Sequence, residues 1–104
     1  MKIILRKMTD FLTELYNLIL QRKEKRTEKS YTALLFNKGR DEIIRKVGEE
    51  ATEVVIAAKN GHKKEIISEV ADLYFHLLIL MAQFNINPDE IIKELKNRKL
   101  RRNR

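Results

Sequence analysis

The sequence predicts an all-α protein, a bundle of about five helices completed by oligomerisation. Apolar residues recur at helical spacing along most of the chain. One proline and three glycines in 104 residues leave few interruptions. The segment Lys63–Phe84 is apolar on nearly every side, and a chain this short has little with which to cover it. A length of 104 residues suits a single domain, residues 1–104, built on one core. No repeat or low-complexity segment divides it.

The first helix is expected from near Thr9, as N-cap, to about Arg22. Met8, Phe11, Leu12, Leu15, Leu18 and Ile19 give it an apolar face. The charged stretch Arg22–Lys29 reads as a frayed helix end and solvated linker. Ser30 can cap a short helix, Tyr31–Phe36, that stops at Asn37-Lys38-Gly39. A lone glycine there ends a helix; it implies no run of free N–H groups for phosphate.

The third helix, about Asp41 to Asn60, places Ile43, Ile44, Val47, Ala51, Val54, Val55 and Ala58 on one stripe. Gly48 inside it costs about 1 kcal/mol relative to alanine, and so predicts close approach of a backbone or a ligand. Asn60-Gly61 is a left-handed stop signal, after which the fourth helix should fold back antiparallel. Into that helix's apolar run are set Glu69, Asp72 and His76. A last helix starts at Asn87-Pro88-Asp89-Glu90, with an N-cap, proline at N1 and glutamate at N3. It ends in a basic tail, expected to be flexible from about residue 99.

Composition excludes several classes. Without cysteine there is no disulfide frame, thiolate zinc site or Cys nucleophile, and a cytoplasmic setting fits. The N-terminus has only three consecutive apolar residues, too few for a signal-peptide core. The longest apolar run, Leu77–Ala82, is far short of the roughly 20 residues a membrane span needs. Net charge is +7, yet residues 41–72 hold eight acids against five bases, while residues 93–104 hold seven bases and one acid. An acidic centre in a basic shell suits a metal site that handles a polyanionic small molecule.

The centre of that pattern is Lys46–Asp72. Glu49–Glu53 are spaced (i, i+4); Glu50–Glu53 and Glu69–Asp72 are spaced (i, i+3), so each set shares a helix side. An antiparallel hairpin would face the sets across a gap, where like charges about 6 Å apart repel by about 3 kcal/mol at an effective dielectric of 20. Something positive should hold them. Glu50 falls at the edge of the apolar stripe and Glu53 beside it, with Glu49 further round. Three glutamates on one helix ordinarily mark a solvated face. Carboxylates set into an apolar helix are expensive unless paired or metal-bound, which favours a site. His76, one turn beyond Asp72, reads either as a buried histidine hydrogen-bonded to a neighbour or as a group orienting a ligand carboxylate. A di-iron bundle wants Glu-x-x-His from two helices, and zinc wants cysteines or paired histidines; neither is here.

Glu49-Glu50-x-x-Glu53 followed by Glu69-x-x-Asp72 resembles the signature of the all-α nucleoside-triphosphate pyrophosphatases. Ser30-Tyr31-Thr32, Gly39, Lys46-Val-Gly-Glu-Glu-Ala51, Glu53-Val-Val-Ile-Ala-Ala58 and Ala71-Asp-Leu-Tyr-Phe-His-Leu-Leu78 narrow it. Together they resemble the phosphoribosyl-ATP pyrophosphatases of histidine biosynthesis, from about residue 9 to Arg98. Phe75, where the family pattern leads one to expect tyrosine, and the base-rich stretch 22–29 depart from that likeness. There is no room for a fused cyclohydrolase domain, so the chain is expected to be monofunctional.

The resemblance implies hydrolysis of phosphoribosyl-ATP to phosphoribosyl-AMP and pyrophosphate, with Mg²⁺, on a helical bundle that is at least a dimer and could be a tetramer. It implies Glu50, Glu53, Glu69 and Asp72 as metal ligands, and Glu49 as the group that orients or deprotonates the attacking water. Lys46 is the candidate for a substrate phosphate, and Tyr31, Thr32 and Arg98 for ribose or phosphate contacts. Two alternatives compete: a house-cleaning nucleoside-triphosphate pyrophosphatase of the same superfamily, and a non-catalytic helical scaffold or nucleic-acid binder. Inward acids would repel nucleic acid, and no aromatics are interleaved in the basic tail.

Overall fold

The computed structural model describes residues 2–27 and 29–99. They form five helices and, among the described residues, no strand: α1 (Lys2–Glu24), α2 (Tyr31–Lys38), α3 (Arg40–Asn60), α4 (Lys63–Gln83) and α5 (Pro88–Lys99). No helix among them is long and apolar enough to cross a membrane. The basic tail beyond Lys99, and Glu28 in the charged stretch, lie outside the described residues.

The caps sit where local chemistry puts them. The Ser30 side chain accepts the Ala33 N–H, opening α2. Gly39 closes α2 at φ 102°, its N–H donating to Leu35 O. Gly61, at φ 79°, donates to Ala57 O and turns α3 back along α4. At α5, Asn87 Oδ1 accepts from Asp89 N–H while Glu90 Oε2 accepts from Asn87 N–H, a reciprocal capping box.

One boundary differs from expectation. Helix α1 begins at Lys2 rather than near Thr9. Residues 2–8 hold no glycine or proline, and a threonine inside a helix costs less than about 1 kcal/mol relative to alanine, too little to stop one.

Helices α3 and α4 pack along their length as a hairpin, α1 packs on α4, and α2 bridges α1 and α3. Ile19 of α1, Ile43 of α3 and Ile79 of α4 are the largest fully buried side chains, and Leu35 and Phe36 of α2 join them. Burying each such side chain contributes about 1.5–3 kcal/mol. Helix α5 buries no residue fully and leans on α1.

The charged stretch that ends α1 does more than fray. Lys23 Nζ donates to Ala82 O at 2.7 Å, supplying a cation to the C-terminal end of α4. Lys23 and Arg26 each lie 6.0 Å from the centre of the Phe36 ring. Tyr16 donates to Ile86 O at 2.6 Å and fixes the loop that follows α4. Asn85 in that loop adopts φ 57°, a conformation asparagine tolerates better than most side chains.

Candidate metal and phosphate site

The face of α3 that meets α4 runs through Ile43, Val47, Glu50, Val54 and Ala57, at steps of four, three, four and three. Glu50 therefore lies on the buried seam itself, not at its edge, and is 8% exposed. Ile44 and Val55, counted in the predicted stripe, instead face outward at 46% and 60% exposure. Across the seam α4 presents Glu69 and Asp72. One carboxylate oxygen from each of Glu50, Glu69 and Asp72 lies within 4.8 Å of the other two. Glu53, one turn on from Glu50, is exposed and stands outside that group.

The expected cation is present. Lys46 Nζ lies 2.8 Å from Glu49 Oε1 and 3.3 Å from Glu50 Oε1, with 17% of its side chain exposed. Its pKa is raised, chiefly by the hydrogen bond to Glu49, so it stays charged. Glu49 stands outside the group of three, and Arg45 Nη1 also holds it at 2.6 Å. Lys46 first, then Arg45, lower its pKa. Glu69 is shifted the other way. Desolvation first, then the charges of Asp72, Glu53 and Glu50, raise its pKa. Carboxylates on both helices share a field with too little compensating charge.

Behind the acids lies a hydrogen-bonded relay. His76 is buried, its Nδ1 2.7 Å from Asp72 O and its Nε2 2.8 Å from the Tyr31 hydroxyl. A main-chain carbonyl only accepts, which assigns the proton to Nδ1; Nε2 then accepts from Tyr31. His76 thus braces Asp72 through its backbone rather than its carboxylate. Burial pushes the Tyr31 phenol up, keeping it a donor, while Lys46 opposes the shift. The rings of Tyr31 and Phe75 stack with centroids 6.4 Å apart.

The remaining predicted residues are spread out. Thr32 is buried between α1 and α2, and Arg98, on exposed α5, pairs with Glu94 at 3.0 Å. Gly48 does not mark a close approach within this chain: a Cβ there would meet nothing within 4 Å. Sequence reasoning missed the Arg45–Glu42–Glu49 pairing. Its only signal was the (i, i+3) and (i, i+4) spacing, common on any charged helix.

The family pattern described as phosphoribosyl-ATP pyrophosphohydrolase matches residues 12–99. The chain belongs to that family. It is 56% identical over 89 residues to the phosphoribosyl-ATP pyrophosphatase of Geotalea daltonii, covering 86% of this chain and 84% of that relative. The enzyme of that name from Listeria monocytogenes is 60% identical over 87 residues, 84% of each chain. That from Leptospira biflexa is 54% identical over 89 residues, covering 86% of this chain and 97% of its own. The family match spans α1 from residue 12 onward and the whole of α2, α3, α4 and α5, and so takes in the acidic cluster and the Tyr31–His76 relay.

Proposed function

We propose that Glu50, Glu69 and Asp72, with Glu53 beside them, hold Mg²⁺ in a phosphoribosyl-ATP pyrophosphatase that releases phosphoribosyl-AMP and pyrophosphate in histidine biosynthesis. The observation that carries the metal reading is the convergence of three carboxylates from two facing helices within 4.8 Å. The donor set is oxygen only, as a hard cation prefers, and Mg²⁺ is commonly held by few carboxylates together with substrate phosphates. The raised Glu69 pKa supports the same reading, because a cluster that lacks compensating charge binds a cation favourably. When bound, the ion would supply charge neutralisation for the triphosphate and for the departing pyrophosphate.

The protein's own groups then have separable tasks. Lys46 can turn from Glu49 and Glu50 to a substrate phosphate, since an arriving triphosphate competes for its ammonium. Glu49, with its lowered pKa, remains ionised and suits a carboxylate that accepts a hydrogen bond from water and sets its direction. The water oxygen bonds to the α-phosphorus as the bond to the bridging oxygen breaks; the electron pair leaves with pyrophosphate, and the water's proton passes to solvent. Tyr31 and Thr32, and Arg98 at the far helix, are the remaining candidates for ribose or phosphate contacts.

A homo-oligomer, dimer or tetramer, belongs to the same reading. Tyr74 of α4 is 53% exposed, and beside it an apolar cleft of about 280 Å³ opens between α1, α4 and α5. A second copy of the chain would cover such a face. A cytoplasmic location fits an enzyme of nucleotide-linked biosynthesis.

Purified protein should release pyrophosphate from phosphoribosyl-ATP with Mg²⁺ and stop on chelation. Turnover of ordinary nucleoside triphosphates should be far slower. Preference for those triphosphates over phosphoribosyl-ATP would instead favour a house-cleaning enzyme.

A further inference from the structure

A cleft of about 250 Å³ opens where α1 gives way to α2, outside the acidic cluster. Leu15, Ile19 and Phe75 form its apolar floor, and Arg22, Lys29, Ser30 and Thr32 its polar wall. Among the described residues no acid lines it, and neither Arg22 nor Lys29 makes an ion pair.

Thr32 is the telling residue. It is 7% exposed and its side chain makes no hydrogen bond among the described residues. No buried side-chain oxygen or nitrogen there is left sealed and unpartnered. The Thr32 hydroxyl therefore keeps an opening, and the opening it lines is this cleft. Ser30 lends its oxygen to the Ala33 N–H and still has its own hydroxyl proton to donate. The N-terminal end of α2, with its partial positive charge, opens on the same side. Two cations, two hydroxyls and a helix N-terminus around an apolar floor make a site suited to an anion.

Its place relative to the acids is fixed by α4. Phase along the helix puts Phe75, in the cleft floor, three residues or about 4.5 Å of rise beyond Asp72. Tyr31, flanked in sequence by Ser30 and Thr32, stacks on Phe75 and hydrogen-bonds His76. We propose that this cleft binds the monoester phosphate of the phosphoribosyl group, at the end of the substrate remote from the triphosphate. This rests on the pyrophosphatase reading above and deepens it. A substrate with phosphate at both ends would be held at both, and a nucleoside triphosphate at one only. The cleft would then supply the preference for phosphoribosyl-ATP.

Two variants test it, R22A/K29A and Thr32→Val, both at positions that leave the acids untouched. The probes are ribose 5-phosphate, followed by calorimetry, and phosphoribosyl-ATP and ATP in kinetics. Wild type should bind ribose 5-phosphate, and R22A/K29A should lose that binding. The same variant should raise KM for phosphoribosyl-ATP tenfold or more with kcat little changed, and leave inhibition by ATP as in wild type. Thr32→Val, which keeps the shape and removes the hydroxyl, should raise KM severalfold at unchanged melting temperature. Unchanged KM in both variants, or no ribose 5-phosphate binding by wild type, overturns the proposal. A wild type inactive on phosphoribosyl-ATP that still binds ribose 5-phosphate through Arg22 and Lys29 would refute the enzymatic reading and leave the anion site standing.

Discussion

The two halves of α4 contribute to the molecule in opposite ways. From Leu78 to Ala82 the helix is packed against Ile19, Leu35, Phe36 and Ile43, and its Ala82 carbonyl accepts from the Lys23 ammonium. Between Glu69 and Asp72 the same helix turns acids toward Glu50, and Glu69 resists ionisation there. The first half-site lowers the free energy of the fold, whereas the second raises it and awaits a cation. Stability and chemistry are thus separated along about two turns of one helix, with His76 at the border bonded to both Asp72 O and Tyr31.

Damage to the dry half should show most strongly. Ile79→Ala removes a fully buried side chain and should cost about 2–5 kcal/mol in urea unfolding, a large part of a small domain's stability. Mg²⁺ should restore little of it, since the lesion is far from the acids.

Lys46→Ala lies on the other side of the comparison. It should lower kcat/KM tenfold or more. Because Glu50 is left nearly buried without its cation, the metal-free protein should also lose on the order of 1–2 kcal/mol. That second effect runs against the expectation, natural for a surface lysine, that melting would not change. The deficit should shrink as Mg²⁺ is added; a deficit independent of Mg²⁺ would make Lys46 a purely structural partner.

Smaller still is Gly48→Ala, which should stabilise the protein by up to about 1 kcal/mol with activity unchanged, because open space receives the methyl group. A loss of activity would mean that a ligand or a second copy approaches there.

The subtlest signal is in pH. Glu69 has its folded pKa raised above the ordinary 4.5, so it favours the fold while protonated, and that contribution is lost as pH rises through the raised value. Glu49 has its folded pKa lowered, and its contribution is present above 4.5 and lost as pH falls through the lowered value. Metal-free Glu69→Gln should therefore melt higher than wild type near pH 7 and match it below pH 4. A constant difference across the range would detach the shift from the Glu69 carboxyl.

What could be foreseen from sequence was local. Ser30, Gly61 and the Asn87–Glu90 box announce helix ends through bonds made within four residues, so they need no knowledge of the fold. The convergence of Glu50, Glu69 and Asp72 followed from helical spacing plus one turn at Asn60-Gly61. The phase of α3 was read less well, because Ile44 and Val55 are apolar yet face outward, and they pulled the inferred stripe away from Glu50. Lys23 on Ala82 O spans 59 residues and left no trace in local pattern. Nor did Thr9 reveal that α1 had already begun, since a good cap residue does not oblige a helix to start.

The central claim is that Glu50, Glu69 and Asp72 form a cation site at the expense of the metal-free fold. It is tested most directly by the melting of wild type and Asp72→Asn, each without metal and across a Mg²⁺ titration, with turnover measured on the same samples. A ligand bound only to the native state adds RT ln(1 + [L]/Kd), about 2.7 kcal/mol at 100 times Kd. A cation site predicts that Asp72→Asn melts as high as wild type or slightly higher without metal, gains far less from Mg²⁺, and loses turnover by orders of magnitude. A variant that melts lower without metal, responds to Mg²⁺ as wild type does and keeps its turnover would make these acids structural and contradict the site.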